Sequence, residues 1–107
     1  MGEVEDKNVI IVDDMIATGS SLIESVEALK KAKAKTIYAA ITHGILSGPA
    51  IARIDQCQGL EKLLISDSVP LLAQKKSLKI QVLSVANLLA EAIKRIHNEE
   101  SVSCLFD

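Results

Sequence analysis

The segment VIIVDD at 9–14 constrains the fold of this chain more than any other part of its sequence. Its four aliphatic residues are all β-branched and leave no polar face, which is typical of a buried strand in a parallel sheet. Two carboxylates follow, then the small residues ATGSS at 17–21, and then the periodic apolar pattern of a helix. We therefore predict a strand over 8–12, a loop and a helix, which together make one unit of an α/β fold.

The rest of the chain continues this alternation of strands and helices. Apolar residues spaced at i, i+4 and i+7 predict helices over 20–32 and 87–98, and Pro49 suits the first turn of a short third helix. Further strands are predicted over 36–42, 62–65 and 79–83. We expect an α/β fold with a mostly parallel sheet of about four strands flanked by helices. Because a parallel sheet needs helices on both faces, we expect this thin sheet to be part of a larger domain arrangement or an oligomer.

The charge and the cysteine content exclude several classes of function. With 12 basic and 14 acidic residues, the formal net charge is −2, which does not fit a nucleic-acid-binding surface. Cys57 and Cys104 form no CxxC pair, so neither a zinc site nor a redox motif is expected. The aliphatic runs are too short to cross a bilayer, and the acidic N-terminus is no secretory signal. We expect a cytoplasmic protein that binds neither nucleic acid nor a membrane.

The acids and the small-residue loop lie where α/β proteins bind ligands. Asp13 and Asp14 follow a strand, and the loop leads into a helix N-terminus, where unpaired N–H groups favour an anion. A phosphate on the loop, beside carboxylates that hold hydroxyls or a divalent metal, indicates a phosphorylated sugar. The alternative is purely structural: the acids are turn residues, and Ser20 or Ser21 is an N-cap, with Glu24 completing a capping box if Ser21 is the cap.

Three sequence blocks resemble a known family. VIIVDDMIATGSS is similar to the phosphoribosyl-diphosphate loop of type I phosphoribosyltransferases. The blocks YAAITHGILSGPAIARI and LLAEAIKRIHNEESVSCLF follow it in the order found in the second half of the class I ribose-phosphate pyrophosphokinase family. The resemblance covers essentially the whole chain. It implies that residues 1–107 are a single C-terminal phosphoribosyltransferase-like domain, without the N-terminal domain of that family.

The resemblance also implies an activity and a set of site residues. Members of that family transfer the pyrophosphoryl group of ATP, with Mg²⁺, to ribose 5-phosphate. By similarity, Asp13 and Asp14 contact the ribose hydroxyls and the metal, while Ser101 and Ser103 contribute to an intersubunit site for phosphate or ADP. The residues that would cradle the 5-phosphate are Ala17, Thr18, Gly19, Ser20 and Ser21.

The same resemblance sets expectations for assembly and turnover. Members of the family commonly form homo-oligomers, in which dimers assemble into hexamers. Because the missing half would hold much of the ATP site, we expect the isolated chain not to turn over. Two alternatives remain: a phosphoribosyltransferase that consumes phosphoribosyl diphosphate, and a non-catalytic regulatory relative of the pyrophosphokinase.

Three residues depart from the family pattern. Ala17 replaces an acidic residue, and Ser20 replaces a glycine, which matters if that position needs a positive φ. Lys33 stands where relatives often end the helix with glycine, at a cost of about 1 kcal/mol if the site is left-handed. His43, at the end of the second predicted strand, either shapes the site or is a structural loop residue.

Overall fold

A computed structural model of the chain describes residues 3–71 and 75–106. Within these ranges four strands form one sheet, all parallel and in the spatial order β1-β2-β3-β4. The strands are β1 (Asn8–Ile16), β2 (Thr36–Gly44), β3 (Leu60–Ser66) and β4 (Ile80–Leu83). The helices are α1 (Ser20–Lys31), α2 (Ala50–Gln56) and α3 (Ala86–His97), and a 3₁₀ turn follows at Ser103–Phe106. The predicted α/β class with a parallel four-stranded sheet is confirmed.

The hydrophobic core lies on one face of this sheet. Each strand lies beside its predecessor in the sequence, so right-handed crossovers bring the connecting helices to the same face. Ile37, Ala39 and Ile41 of β2 are buried on that face, against Leu22 and Val26 of α1. From α2, Ala50 and Ile54 complete the same cluster, and both are fully buried.

The opposite face of the sheet is apolar and, among the described residues, largely uncovered. Ile10 and Val12 of β1 expose 64% and 78% of their surface there. We call this surface the open face; its members are Ile10, Val12, Tyr38, Ala40, Leu64 and Leu83. The prediction that β1 is buried on both faces is therefore wrong for the residues described, because the crossovers place α1 and α2 on one side only.

Strand β1 continues four residues beyond its predicted end. Met15 and Ile16 still pair with His43 and Gly44 of β2, so the ladder runs past the two acids. Backbone pairing does not require apolar side chains, and polar residues are tolerated at the exposed carboxyl end of a strand. Asp13 and Asp14 therefore lie inside β1 and not after it.

The N-cap of α1 is Gly19, and the predicted caps Ser20 and Ser21 are wrong. Gly19 has φ 85° and no side-chain cap hydrogen bond closes this end of the helix, so the capping box does not form either. Glycine is favoured here by the positive φ and not by lack of space, because a Cβ at this position would meet Ala50 at an ordinary 3.7 Å. Ser20 has no positive φ, so its difference from the family glycine introduces no backbone strain.

The C-terminus of α1 confirms the conditional expectation for Lys33. This residue is left-handed, with φ 65°. Its N–H donates to the Lys30 carbonyl, and the Ala34 N–H donates to the Leu29 carbonyl, which together form a Schellman motif. A side chain at this position is strained, and glycine would relieve that strain.

The described helices are too short or too polar to span a membrane.

Candidate functional site

A cleft of about 270 Å³ opens between the carboxyl end of β1 and the N-terminus of α1. Its wall includes every residue of the 15–22 segment, together with Ile11, Asp13, Ser25 and Ile41. The structure thus brings the predicted loop residues and one of the two predicted acids into one concavity. We call residues 16–22, which run from the end of β1 into α1, the anion loop.

The two acids face opposite sides of the sheet. Asp13 pairs with Ile41, whose side chain is buried on the helix-covered face, and it lines the cleft. Successive residues of a strand alternate, so Asp14 projects toward the open face and is not part of the cleft wall. The Asp13 Oδ1 atom accepts a hydrogen bond of 2.8 Å from the Asp14 N–H, which leaves its other carboxylate oxygen available. The sequence did not show that the two carboxylates face opposite sides of the sheet. This follows from the continuation of β1 to Ile16.

The anion loop presents backbone donors. Among the described residues, no hydrogen bond from the N–H groups of 17–22 to protein atoms is found. The Gly19 carbonyl accepts the first helical bond from the Ile23 N–H, so the first turn of α1 begins directly after the loop. The Thr18 and Ser20 hydroxyls lie 3.4 Å apart and both remain exposed. Unpaired donors at a helix N-terminus are suited to an anion.

A residue that the sequence did not single out supports the loop from α2. The Arg53 guanidinium donates a 3.1 Å hydrogen bond to the Thr18 carbonyl. The partners are 35 positions apart in the sequence, and one of them is a main-chain atom, so no local pattern could indicate this contact.

His43 belongs to a neighbouring polar network and does not line the cleft. Its Nδ1 lies 2.6 Å from the Ser68 Oγ, and Ser66 Oγ donates a 2.6 Å bond to the Thr42 carbonyl. These contacts tie the carboxyl ends of β2 and β3 together. The contact with Ser68, which the sequence did not reveal, supports the alternative in which His43 has a structural role.

Ser101 and Ser103 lie in the C-terminal tail, away from the cleft. Their hydroxyls are 2.8 Å apart, and the Ser101 carbonyl accepts a 3.2 Å bond from Arg95 of α3. Neither serine lines the cleft, so the two predicted sites are separate.

No group of three or more histidine, cysteine, aspartate or glutamate residues that could hold a metal occurs in the part of the chain that the structure describes. Mg²⁺ commonly takes only one or two carboxylates and completes its shell with substrate oxygens and water. The exposed Asp13 carboxylate at the cleft fits such a Mg²⁺ site, in which the substrate and water supply the remaining ligands.

Fold and site together define a class: α/β domains in which a helix N-terminus beyond the carboxyl end of a parallel strand offers free backbone donors to an anion. Comparison with known proteins gives the family. The family described as phosphoribosyl synthetase-associated domain matches residues 1–107, and the chain belongs to it.

Individual relatives agree with this assignment. The chain is 48% identical over 107 residues to the ribose-phosphate pyrophosphokinase of Oceanobacillus iheyensis, covering 100% of this chain and 33% of that protein. It is 49% identical over 106 residues to that of Caldanaerobacter subterraneus, covering 99% and 33%. A crystal structure of phosphoribosylpyrophosphate synthetase from Mycobacterium smegmatis superimposes with a TM-score of 0.89 at 35% identity, over 92% of this chain and 33% of that one. The chain thus spans about a third of the length of these relatives.

Proposed function

We propose that this chain is the C-terminal, ribose-5-phosphate-binding portion of a ribose-phosphate pyrophosphokinase. That enzyme transfers pyrophosphate from ATP to ribose 5-phosphate and so makes phosphoribosyl diphosphate for nucleotide biosynthesis. Family membership and the sequence blocks at 38–54 and 88–106 support this proposal. The observation that carries it is the run of N–H groups at 17–22, which donate no hydrogen bond within the described ranges 3–71 and 75–106.

The 5-phosphate lies on the anion loop in this proposal. Main-chain N–H groups supply most of the binding, so replacement of an acidic residue by Ala17 does not remove a donor. The Thr18, Ser20 and Ser21 hydroxyls add further donors at the rim, and all three residues are exposed. A phosphate dianion is favoured there by the N-terminal end of the α1 dipole as well.

The ribose ring extends from the loop toward the acids. Asp13 lines the cleft and accepts hydrogen bonds from ring hydroxyls or binds Mg²⁺ that is shared with the substrate. Asp14 acts from the other side of β1, where it reaches the ligand only across the end of the sheet. Mg²⁺ would supply charge neutralisation for the transferring phosphoryl oxygens.

The rest of the enzyme completes the reaction. In this proposal, much of the ATP site belongs to the part of the enzyme that these 107 residues do not include. The chain spans about a third of the length of its relatives. Phosphoryl transfer depends mainly on positioning and charge stabilisation, so half of the site does not turn over by itself. The chain alone binds ribose 5-phosphate and does not catalyse its conversion.

The proposal has three further parts. The chain assembles into homo-oligomers, it is located in the cytoplasm, and Ser101 and Ser103 form an effector site for phosphate or ADP. The apolar surface on the open face supports burial against further protein, since exposed apolar patches of this kind mark interaction sites. For the effector site, the support is the pair of hydroxyls 2.8 Å apart, close enough to bind one anion together.

Amide chemical shifts of the 107-residue chain test the proposal. On titration with ribose 5-phosphate, we expect the amides of 17–22 to shift, and Asp13 to respond more strongly when MgCl₂ is present. Gly19→Ala should weaken the binding that these shifts report, because a Cβ disfavours the positive φ of the N-cap. Gly48→Ala is the matched control: Gly48 also has a positive φ, but it lies outside the cleft wall.

Two results would contradict the proposal. Absence of shifts at 17–22 with and without Mg²⁺ favours the non-catalytic relative. Binding of phosphoribosyl diphosphate with no response to ribose 5-phosphate favours a phosphoribosyltransferase.

A further inference from the structure

We propose that Arg53 is a positioning residue for phosphate binding: its guanidinium holds the Thr18 carbonyl away from the ligand and so directs the Gly19 N–H into the cleft. This inference rests on the proposed function of the anion loop. Arg53 itself does not touch the ligand.

Three successive carbonyls of the loop are bound by the segment that follows β2. The Ile16 carbonyl accepts bonds of 3.0 and 3.3 Å from the N–H groups of 45 and 46, and the Ala17 carbonyl accepts one of 2.9 Å from that of 47. The Thr18 carbonyl accepts the 3.1 Å bond from Arg53. The first two bonds come from the main chain and do not depend on side chains. The third depends on the residue at 53.

The orientation of these carbonyls sets the orientation of the donors. In a planar trans peptide, the C=O and the N–H of the next residue point in opposite directions. With the carbonyls of 16, 17 and 18 turned toward the 45–53 segment, the N–H groups of Ala17, Thr18 and Gly19 point away from it. The same three N–H groups donate no hydrogen bond to the protein atoms that the structure describes.

The peptide between Thr18 and Gly19 is the one that most needs a fixed partner. Glycine adopts many backbone conformations, so this peptide can rotate more easily than its neighbours. Rotation would replace an N–H by a carbonyl oxygen, which repels a phosphate. A charge-assisted hydrogen bond from a guanidinium opposes that rotation. The cation also adds favourable potential for an anion on the far side of the loop.

Arg53 is held in place by the packing of α2. Ala50 and Ile54, on either side of it in this helix, are both fully buried. Ala50 also lies against Gly19, within van der Waals reach of a Cβ built there. The helix that presents the guanidinium therefore touches the loop, and the side chain of Arg53 needs to span only a short distance.

Binding of inorganic phosphate and of ribose 5-phosphate to the 107-residue chain tests the inference, with amide shifts at 17–22 as the readout. We expect Arg53→Gln to raise the Kd about tenfold, as for loss of a charged hydrogen bond. Arg53→Lys should retain part of the affinity because it keeps a donor and a charge but loses the planar geometry. The thermal midpoint should fall only slightly, since Arg53 is exposed and a single intramolecular hydrogen bond is lost.

Lys62→Gln is the matched control. Lys62 is also exposed and also donates to a carbonyl, at 3.0 Å to Leu78, but it lies outside the cleft wall. It removes the same charge from the chain and should leave the Kd unchanged. A second readout is the Gly19 amide of the ligand-free chain, which should broaden or split in Arg53→Gln and stay single in Lys62→Gln.

The outcomes separate this inference from the proposed function. Equal affinity in wild type and Arg53→Gln overturns the inference and leaves phosphate binding by the loop intact. An equal loss in Arg53→Gln and Lys62→Gln also overturns it, because the effect is then one of overall charge. Failure of the wild-type chain to bind overturns the proposed function, and the role of Arg53 with it.

Discussion

Helices α1 and α3 are alike in length and ending but differ in how the molecule holds them. Both have 12 residues. Both end in a Schellman motif with a side chain in the left-handed position, Lys33 after α1 and Glu99 after α3. Helix α1 buries Leu22 and Val26 in the core, whereas α3 has no buried residue.

Polar contacts at both ends hold α3. At its start, the Asp67 carboxylate accepts a 2.8 Å bond from the Val85 N–H, directly before the helix. Near its end, Arg95 forms a 3.0 Å ion pair with Glu91 and donates to the Ser101 carbonyl of the tail. It also contacts Cys104 Sγ, and the hydrogen bond to Glu91 keeps the pKa of Arg95 above its usual value.

The comparison shows what an amphipathic pattern determines and what it leaves open. Helix α3 has an apolar stripe of four side chains between 39% and 67% exposed, namely Leu88, Leu89, Ile93 and Ile96. Such a stripe predicts that something covers it, and does not say what. For α1 the cover is the sheet of the same chain. For α3 no residue within the described ranges 3–71 and 75–106 buries the stripe.

Truncation of one leucine in each helix tests the difference most strongly. Leu22→Ala should lower the free energy of unfolding by about 2–4 kcal/mol, because it leaves a cavity in the core. Leu89→Ala, at a side chain 53% exposed, should change it by less than about 0.5 kcal/mol. Urea unfolding followed by circular dichroism measures both.

The conservative substitution Leu22→Met controls for side-chain identity and should cost less than about 1.5 kcal/mol. Equal losses from Leu22→Ala and Leu89→Ala would show that the stripe of α3 is buried in solution. A dependence of the Leu89→Ala effect on protein concentration would then identify self-association as the cover.

The two left-handed residues provide a smaller and more local test. Lys33→Gly should raise the free energy of unfolding by about 1 kcal/mol, since it removes the strain of a Cβ at φ 65°. Lys33→Ala is the control: it also has a Cβ, and should give no comparable gain. Glu99→Gly relieves the same geometry in α3, but should act on local hydrogen exchange more than on global unfolding, because α3 is not packed in the core. An equal global gain at both positions would contradict the distinction drawn between the helices.

The sequence predicted the elements well and their ends less well. Apolar periodicity located α1 and α3 within about one residue at each end, since burial of one face is a repeated signal, whereas the short helix α2 was indicated by Pro49. It ended β1 at the acids, because a side-chain pattern does not record main-chain pairing such as that between Met15 and His43. It favoured Ser20 or Ser21 as the cap, because those residues are common N-caps, but the positive φ of Gly19 decides this end.

The candidate site was predictable where it is local in sequence. Residues 17–21 and Asp13 share a cleft because one strand, loop and helix place them there. The opposite orientation of Asp14 follows from the strand boundary, which the pattern misjudged. The contact from Arg53 to the loop depends on the tertiary fold, and only coordinates reveal it.

The pH dependence of α3 is expected to be the smallest effect and tests whether its ends hold it. The Val85 N–H, and after it the Ser84 hydroxyl, lower the pKa of Asp67 below its usual 3.8. Asp67 therefore stabilises the start of α3 at pH values above about 3.8, and that contribution is lost as the pH falls through the lower pKa of the folded state. The protection factors of the amides at 89–92, which are corrected for the intrinsic pH dependence of exchange, should fall through this window in the wild type. In Asp67→Asn they should already be lower at neutral pH and should depend less on pH. Glu27→Gln removes a carboxylate from α1 and should leave the protection factors at 89–92 unaltered. If Asp67→Asn behaves like Glu27→Gln, the end contacts do not hold α3, and the contrast with α1 reduces to burial alone.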